Sequence, residues 1–303
     1  MGVVTRVSNQ ILFNSLVTNA GRNVLEVNRL QEQVSNQRRI NQPSDDPTAV
    51  AKAMKLRTEI DLIEQFKGNI DDGLEWLKVT DTALDQTGAI VQRARLLSVQ
   101  GKTGTLTDQD RINIAAEVDQ LISEIVGVAN TSVRGRFIFA GNKVSTKPYQ
   151  ESTQIDRIVS VSYRGDSGVF HRKVGEGQIV DINTPGGRVF EANFSALISL
   201  RDNLRQGQTG KIDQDIENLD KLLNSTLKER ALVGAKMNRL EGENKRMVDL
   251  NVVANELLVG AEKADITDNT EAIALLEASR IAYQASLQAG ANVIQPTLLN
   301  FIR

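Results

Sequence analysis

The 303-residue chain contains no cysteine, one histidine and one tryptophan, and aromatic residues make up only 4% of it. Without cysteine there are no disulfides, thiolate metal ligands or cysteine nucleophiles, so packing alone must hold the fold. The lone histidine, His171, has no cysteine neighbours, which gives no support to a zinc site or a histidine-based triad. Scarce aromatics disfavour a large globular core and favour long helices packed through aliphatic side chains.

The charge and the hydropathy of the chain disfavour further classes of protein. The net charge is −2, so no positive field exists to attract nucleic acid or an anionic membrane. No stretch has the length and purity of a transmembrane helix. Residues 1–12 lack a basic stretch followed by an apolar run, so we expect no cleavable signal peptide. We therefore expect no nucleic-acid partner and no membrane insertion, and these facts alone favour a cytoplasmic protein.

Motifs for catalysis or cofactor binding are missing as well. Gly175 and Gly177 lack the third glycine and the following helix of a dinucleotide loop. The acidic run Asp265, Asp268 and Glu271 lacks the central glycine and the alternation of an EF-hand. We expect no enzyme, no cofactor and no metal.

The N-terminal segment carries a seven-residue rhythm in which apolar residues fall at alternating steps of three and four. Such a pattern predicts one seam along a helix that needs a partner helix. Asn23 is the one polar residue in it. The apolar positions, which we predict to be an interface, are Phe13, Leu16, Ala20, Val27, Leu30 and Val34.

The first helix is expected to end at the sequence Pro43, Ser44, Asp45, Asp46, Pro47. Proline disfavours a helical residue before it, and Asp46 can cap a second helix with Pro47 at its first position. These five residues are predicted to form an inter-domain joint. An ordinary turn between helices would have the same local chemistry.

The middle of the chain predicts two more helices and a β insertion. A long helix is expected from Pro47 to about Gln100, and Thr107 with Asp110 should cap the next one. Short strand-like runs at 158–163, 169–174 and 178–183 are separated by glycine-rich turns. Helix should return near Asn193 and run on from Ile212. The rhythm of three and four steps continues in the helix from Pro47 and in the one from Ile212, where it includes Ala254.

The last helix is predicted to begin near Glu271, capped by Asp268 or Thr270. From residue 278 to 302 its only charge is Arg280. A helix apolar over so much of its circumference is normally buried. Either neighbours in an assembly or a third helix of the same chain could cover it. The stripe predicted as an interface includes Leu276, Tyr283, Leu287 and Ile294.

These elements together predict a mainly α fold. It would be a long antiparallel coiled-coil or helical-bundle rod with paired N- and C-terminal helices and a small β-rich insertion. Three domains are expected: a terminal coiled coil for assembly (1–42 with 271–303), a helical rod (43–141 with 193–270) and a β-rich outer domain (142–192).

Three motifs, in order along the chain, resemble the flagellin superfamily. They are Arg39-Ile40-x-x-Pro43-Ser44-Asp45-Asp46-Pro47, then Val233-Gly234-Ala235-x-x-Asn238-Arg239-Leu240, then Gln295-Pro296-x-Leu298-Leu299-x-Phe301-x-Arg303. The segment Gly135-Arg136-Phe137-Ile138-Phe139-Ala140-Gly141 is similar to the branch of this superfamily that joins hook and filament. By this resemblance Leu298, Leu299 and Phe301 also belong to the assembly interface.

The resemblance implies a structural role and a set of partners. Such proteins leave the cell through the flagellar type III export apparatus and form an adaptor layer between hook and filament. The implied partners are other copies of the chain in a helical layer, the first hook-associated protein, flagellin, and an export chaperone on the C-terminal helix. The implied location is extracellular, in the flagellum. A minor or short flagellin is the alternative, and a cytoplasmic coiled-coil module is a third reading.

Overall fold

The computed structural model is mainly α-helical, as the sequence predicts. It describes residues 3–36, 46–154, 157–262 and 266–299, with side chains at 11, 13–36, 46–154, 157–262 and 269–291. The helices are α1 (Val3–Asn36), α2 (Pro47–Gly101), α3 (Asp108–Ala129), α4 (Glu191–Arg205), α5 (Thr209–Glu262) and α6 (Ile266–Leu299).

The chain divides into two compact units. The first contains residues 1–61 and 251–303, and the second contains residues 62–250. The first unit therefore holds α1 and α6 together with the start of α2 and the end of α5. The three-domain division expected from the sequence places its boundaries elsewhere and stays a prediction.

In the second unit, α2 and α5 each bury a residue at every seventh position. A repeat of seven keeps one seam of a helix against its partner, which is the geometry of a coiled coil. On α2 the buried positions are Ile63, Ile70, Leu77, Leu84 and Val91. On α5 they are Ile212, Leu219, Thr226, Val233, Leu240 and Met247. Apart from Thr226, these positions belong to the rhythm predicted for the two helices.

Polar pairs between α2 and α5 advance in step along the two helices in opposite directions. Each such pair is at least partly exposed and contributes little stability, but together they fix the antiparallel register. The pairs are Lys102–Asp213 at 2.5 Å, Arg95–Asp220 at 2.5 Å, Arg230 with Asp81 and Asp85, and Asn244–Asp71 at 3.3 Å.

Two predicted helix starts are confirmed and one is wrong. The Asp46 carboxylate accepts the backbone N–H of Thr48 at 3.1 Å and of Ala49 at 3.0 Å. Thr107 and Asp110 form a reciprocal capping box at the start of α3. The last helix, however, already begins at Ile266, so Asp268 and Thr270 lie inside its first turns. Acidic side chains are favourable there because the N-terminal end of a helix carries partial positive charge.

The β elements form three separate two-stranded antiparallel sheets among the described residues. They are β1 (Ser132–Val133) with β2 (Arg136–Phe137), β3 (Tyr149–Gln154) with β4 (Arg157–Tyr163), and β5 (His171–Gly175) with β6 (Gln178–Asp181). The predicted strand at 158–163 is confirmed. Those at 169–174 and 178–183 begin or end up to two residues away from β5 and β6, and β1 to β3 were not predicted.

The β segment shares its core with the neighbouring helices. Phe139, Tyr149 and Phe190 are fully buried, and the Phe190 ring packs edge to face against the other two. Phe194 of α4 packs against Tyr149 in a tilted arrangement and stacks on Phe190. A 3₁₀ turn at Gly186–Arg188 closes this cluster, and a Cβ at Gly186 would lie 2.7 Å from the Tyr149 hydroxyl oxygen. The cluster therefore ties the β elements to α4.

Candidate assembly surface of the terminal helices

Five of the six predicted seam positions on α1 lie on its covered side. Leu30 is fully buried, while Leu16, Ala20, Val27 and Val34 are half-buried. Phe13 is 42% exposed and lies at the edge of the seam. The pattern works because a helix with steps of three and four keeps those positions on one side, and α1 packs against α6.

The covered side of α6 is built from smaller residues than the sequence indicated. Its buried or half-buried positions are Ala272, Leu276, Ser279, Tyr283, Ser286 and Gly290, again in steps of four and three. Leu276 and Tyr283 were predicted. Leu287, which was predicted to lie in the same stripe, is 51% exposed. The predicted stripe is therefore split between the two sides of the helix.

Several predicted residues fall where no side chain or no residue is described. The side chains of Ile294, Leu298 and Leu299 lie outside the described residues, and so does the whole of Phe301. Pro43, Ser44 and Asp45 of the predicted joint also lie outside them, whereas Asp46 and Pro47 start α2.

Large apolar side chains remain exposed on both terminal helices. We call this set the outer apolar surface: Ile11, Val17 and Leu25 on α1, with Ile273, Leu275, Ile281 and Leu287 on α6. Leu25 is 71% exposed and Ile281 is 63% exposed, so the pairing of α1 with α6 leaves them in water. Charge does not offset Ile281 and Leu287, because α6 carries none between Arg280 and its end.

The end of α5, in the same unit, adds exposed residues that the sequence reading missed. These are Val252, Val253, Leu257 and Val259, each about half exposed. The seven-residue rhythm pointed only to the covered positions of this segment, such as Ala254, which is 5% exposed. The sequence feature that could have indicated these residues is the excess of valine and leucine at positions outside that rhythm.

Such a surface can bind another apolar surface and has no catalytic chemistry. Among the described residues, no group of acidic or histidine side chains is placed to hold a metal ion. His171 is exposed on β5 and pairs with Asp181, with Nδ1 2.6 Å from a carboxylate oxygen. No helix in the described part of the chain is long and apolar enough to cross a membrane. Exposed apolar side chains in this number are typical of protein–protein interfaces.

Comparison with known proteins shows which family the chain resembles. Residues 7–144 match the bacterial flagellin N-terminal helical region. The chain is similar to proteins of the flagellin superfamily. It is 26% identical over 285 residues to the flagellar filament 33 kDa core protein of Treponema phagedenis, covering 93% of this chain and 94% of that one. It is 26% identical over 262 residues to flagellar hook-associated protein 3 of Escherichia coli, covering 78% of this chain and 81% of that one.

Solved structures of similar proteins share the fold of this chain. Hook-associated protein 3 of Legionella pneumophila aligns with a TM-score of 0.62 at 16% identity, over 68% of this chain and 97% of that one. FlgL of Bacillus cereus aligns with a TM-score of 0.60 at 21% identity, over 68% and 99%. The resemblance indicated by the three motifs is thus confirmed, and the outer apolar surface belongs to a structural component of the flagellum.

Proposed function

We propose that this protein belongs to the flagellin superfamily and is a structural, non-enzymatic subunit that forms the adaptor layer between the hook-associated proteins and the flagellin filament. The observation that carries the proposal is the outer apolar surface on α1 and α6, because a subunit that works alone would keep polar residues there. Similarity to hook-associated protein 3 over most of both chains supports a position of the layer between hook and filament.

The partners follow from this role. Copies of the chain would cover one another's outer apolar surface in a helical layer, with the first hook-associated protein below and flagellin above. Before assembly, an export chaperone would hold α6, whose uncharged stretch from Ile281 onward needs cover in water. Export through the flagellar apparatus would then place the protein outside the cell.

A flagellin of the filament itself is the second candidate. It is favoured by one observation, the similarity to the Treponema phagedenis filament core protein over nearly the full length of both chains. Both candidates need an outer apolar surface of the same kind. They differ in the position of the subunit, which is between hook and filament for the adaptor and within the filament for the flagellin.

A deletion strain viewed by electron microscopy separates them. For an adaptor, cells lacking the protein should carry hooks without filaments and should shed flagellin into the medium. For a filament flagellin, loss should leave hooks that still carry filaments of other flagellins, or no shed flagellin at all. Filaments of normal number and length would contradict the adaptor role.

A further inference from the structure

The rows of α2 and α5 that face each other in the second unit can be matched layer by layer. A Cβ built at Gly73 of α2 would lie 3.1 Å from a methyl carbon of Leu240 on α5, so these two positions face each other. Because the helices are antiparallel and each repeats every seven residues, the next layer lies seven residues later on α2 and seven residues earlier on α5. The layers are therefore Gly73–Leu240, Thr80–Val233, Thr87–Thr226, Ala94–Leu219 and Gly101–Ile212.

Ion pairs between the two helices agree with this match. Arg95 pairs with Asp220 at 2.5 Å, and each of the two lies one residue further along its helix than the Ala94–Leu219 layer. Lys102 and Asp213, which pair at 2.5 Å, stand in the same relation to the layer that follows. Apolar contacts and ion pairs thus give one register, and in that register Thr87 faces Thr226.

One of the five layers differs from the other four. In each of those four, a small residue of α2 faces an apolar residue of α5, and the apolar side chain fills the space between the helices. In the remaining layer, Thr87 is fully buried and Thr226 is 3% exposed, so two buried threonines meet. This layer therefore lacks the apolar side chain that stabilises the seam elsewhere.

Gly88, next to Thr87, leaves further space at the same level of α2. The residue is buried, yet apart from its chain neighbours and the backbone of its own helix, no atom of the described residues lies within 4 Å of a Cβ built there. Glycine is the least favourable residue in a helix interior after proline, and atoms that line an empty space lose packing contacts. We call Thr87, Gly88 and Thr226 the Thr87 layer.

The hydroxyl of Thr87 donates its hydrogen bond within α2 rather than to α5. Its acceptor is the Ala83 carbonyl at 2.8 Å, just as the Thr80 hydroxyl donates to the Trp76 carbonyl at 2.9 Å. Such bonds to the carbonyl four residues earlier slightly destabilise a helix and often bend it. The Thr87 layer thus combines weak packing between the two helices with a tendency of α2 to bend.

We propose that the Thr87 layer is a point of flexure, at which α2 and α5 separate and bend while the layers on either side stay packed. Ion pairs lie on both sides of it. Arg230 binds Asp81 and Asp85 on one side, and Arg95 binds Asp220 on the other. These pairs keep the helices in register while the layer opens, so that the same residues meet when it closes. The subunit can then change its curvature without unfolding.

Hydrogen exchange of the whole protein, resolved along the chain, tests the proposal. Amides of residues 84–91 and 223–230 should exchange about tenfold faster than those of the layers on either side. Thr226→Val replaces a buried hydroxyl with a methyl in a side chain of the same shape, and it should slow exchange in both segments about tenfold. Adding Val233→Thr to this variant creates a new threonine pair with Thr80, so the fast exchange should move one layer along both helices.

Two glycine variants of α2 supply a matched control. Gly88→Ala should slow exchange in residues 84–91 about fivefold, because alanine favours the helix and the open space admits its methyl group. Gly68→Ala makes the same change at an exposed position that also admits a Cβ, and it should leave residues 84–91 as they were. Exchange in 84–91 no faster than in the neighbouring layers, no slowing in Thr226→Val, or equal slowing by the two glycine variants would overturn the proposal.

Discussion

At the scale of single residues, α6 shows two leucines with opposite environments. Leu276 is 7% exposed on the covered side, and Leu287 is 51% exposed on the outer apolar surface. Burial of a leucine contributes about 1.5–3 kcal/mol, so only Leu276 contributes fully to the isolated subunit. Leu287 would contribute the rest of this free energy only when a neighbouring subunit buries it.

Replacing Leu287 with aspartate should therefore leave the isolated subunit nearly unchanged and should prevent assembly. An exposed substitution changes the free energy of unfolding by about 0.5 kcal/mol or less. In an assembly the new carboxylate would be buried unpaired, at a cost of several kcal/mol for each subunit. The measurements are the Tm of the purified protein and the number of filaments on cells that carry it.

The same substitution at Leu276 is the control, and it should lower the stability of the α1–α6 pair in the isolated subunit. Normal filaments with Leu287→Asp would show that this face is not covered in the assembly. A large loss of subunit stability with Leu287→Asp would show that the residue belongs to the fold of the single chain.

At the scale of elements, the sequence predicted the helices whose buried residues recur at regular steps. It missed the elements that are stabilised in other ways. The seams of α1, α2 and α5 were predictable because large apolar residues recur at steps of three and four. The covered side of α6 was predicted only in part, since Leu276 and Tyr283 share it with Ser279, Ser286 and Gly290, while Leu287 lies outside it. Strand β3 is polar except for Tyr149 and exists because β4 pairs with it.

Arg201 of α4 joins three elements and was also not predictable, because its partners are far away in sequence. It is 2% exposed, and its guanidinium donates to Asp119 of α3 at 3.0 Å and to the Ile158 carbonyl of β4. Burial disfavours its charge, but hydrogen bonds from its guanidinium to Asp202 and Asp119 more than offset this and raise its pKa. It stays charged at every ordinary pH.

Arg201→Met should destabilise the second unit by about 2–3 kcal/mol, since it leaves the Ile158 carbonyl and one Asp119 oxygen without their donor. Urea denaturation followed by Trp76 fluorescence measures this. Arg205→Met is the matched control, because Arg205 bonds only Asp119 among these groups, at 2.7 Å, and is less buried. Its loss should be smaller, and equal losses would contradict the role assigned to Arg201.

The start of α3 should give a pH dependence that can be assigned to one carboxylate. Hydrogen bonds from the Thr107 hydroxyl at 2.6 Å and backbone N–H at 3.0 Å lower the pKa of Asp110 below 3.8. A lowered folded-state pKa means that the stabilisation is fully present above about pH 3.8 and is lost as pH falls through the folded value. Asp110→Asn should remove this dependence.

Denaturation between pH 2 and 6 measures the effect as the difference between the unchanged protein and Asp110→Asn. That difference should be constant above about pH 4 and should shrink below it. Thr107→Ser keeps the hydroxyl and should keep the profile. A difference that stays constant over the whole range would contradict the assignment.

At the scale of the whole molecule, burial differs between the two units. Among the side chains described on α1 and α6, only Leu30, Ala272 and Leu276 are fully buried. On α3 alone, ten residues are buried, including Val118, Ile122 and Ile125. Local stability follows buried apolar contact, so the first unit should open more readily than the second. This contrast is what a subunit completed by its neighbours requires.

Limited proteolysis of the purified protein should therefore cut the chain first within residues 1–46 and 265–303. We expect a resistant fragment from about residue 47 to residue 264, because α1 and α6 have little burial to lose when they open. Hydrogen exchange measures the same property, and amides of α1 and α6 should exchange much faster than those of α3 and α4.

The position of the early cuts also tests the predicted domains. If residues 47–61 and 251–262 are cut as early as α1, the unit boundary at 61–62 and 250–251 marks the change in stability instead. Ends protected as well as α3 and α4 would show that the terminal helices are complete without neighbours, and the proposed role of the outer apolar surface would then fail.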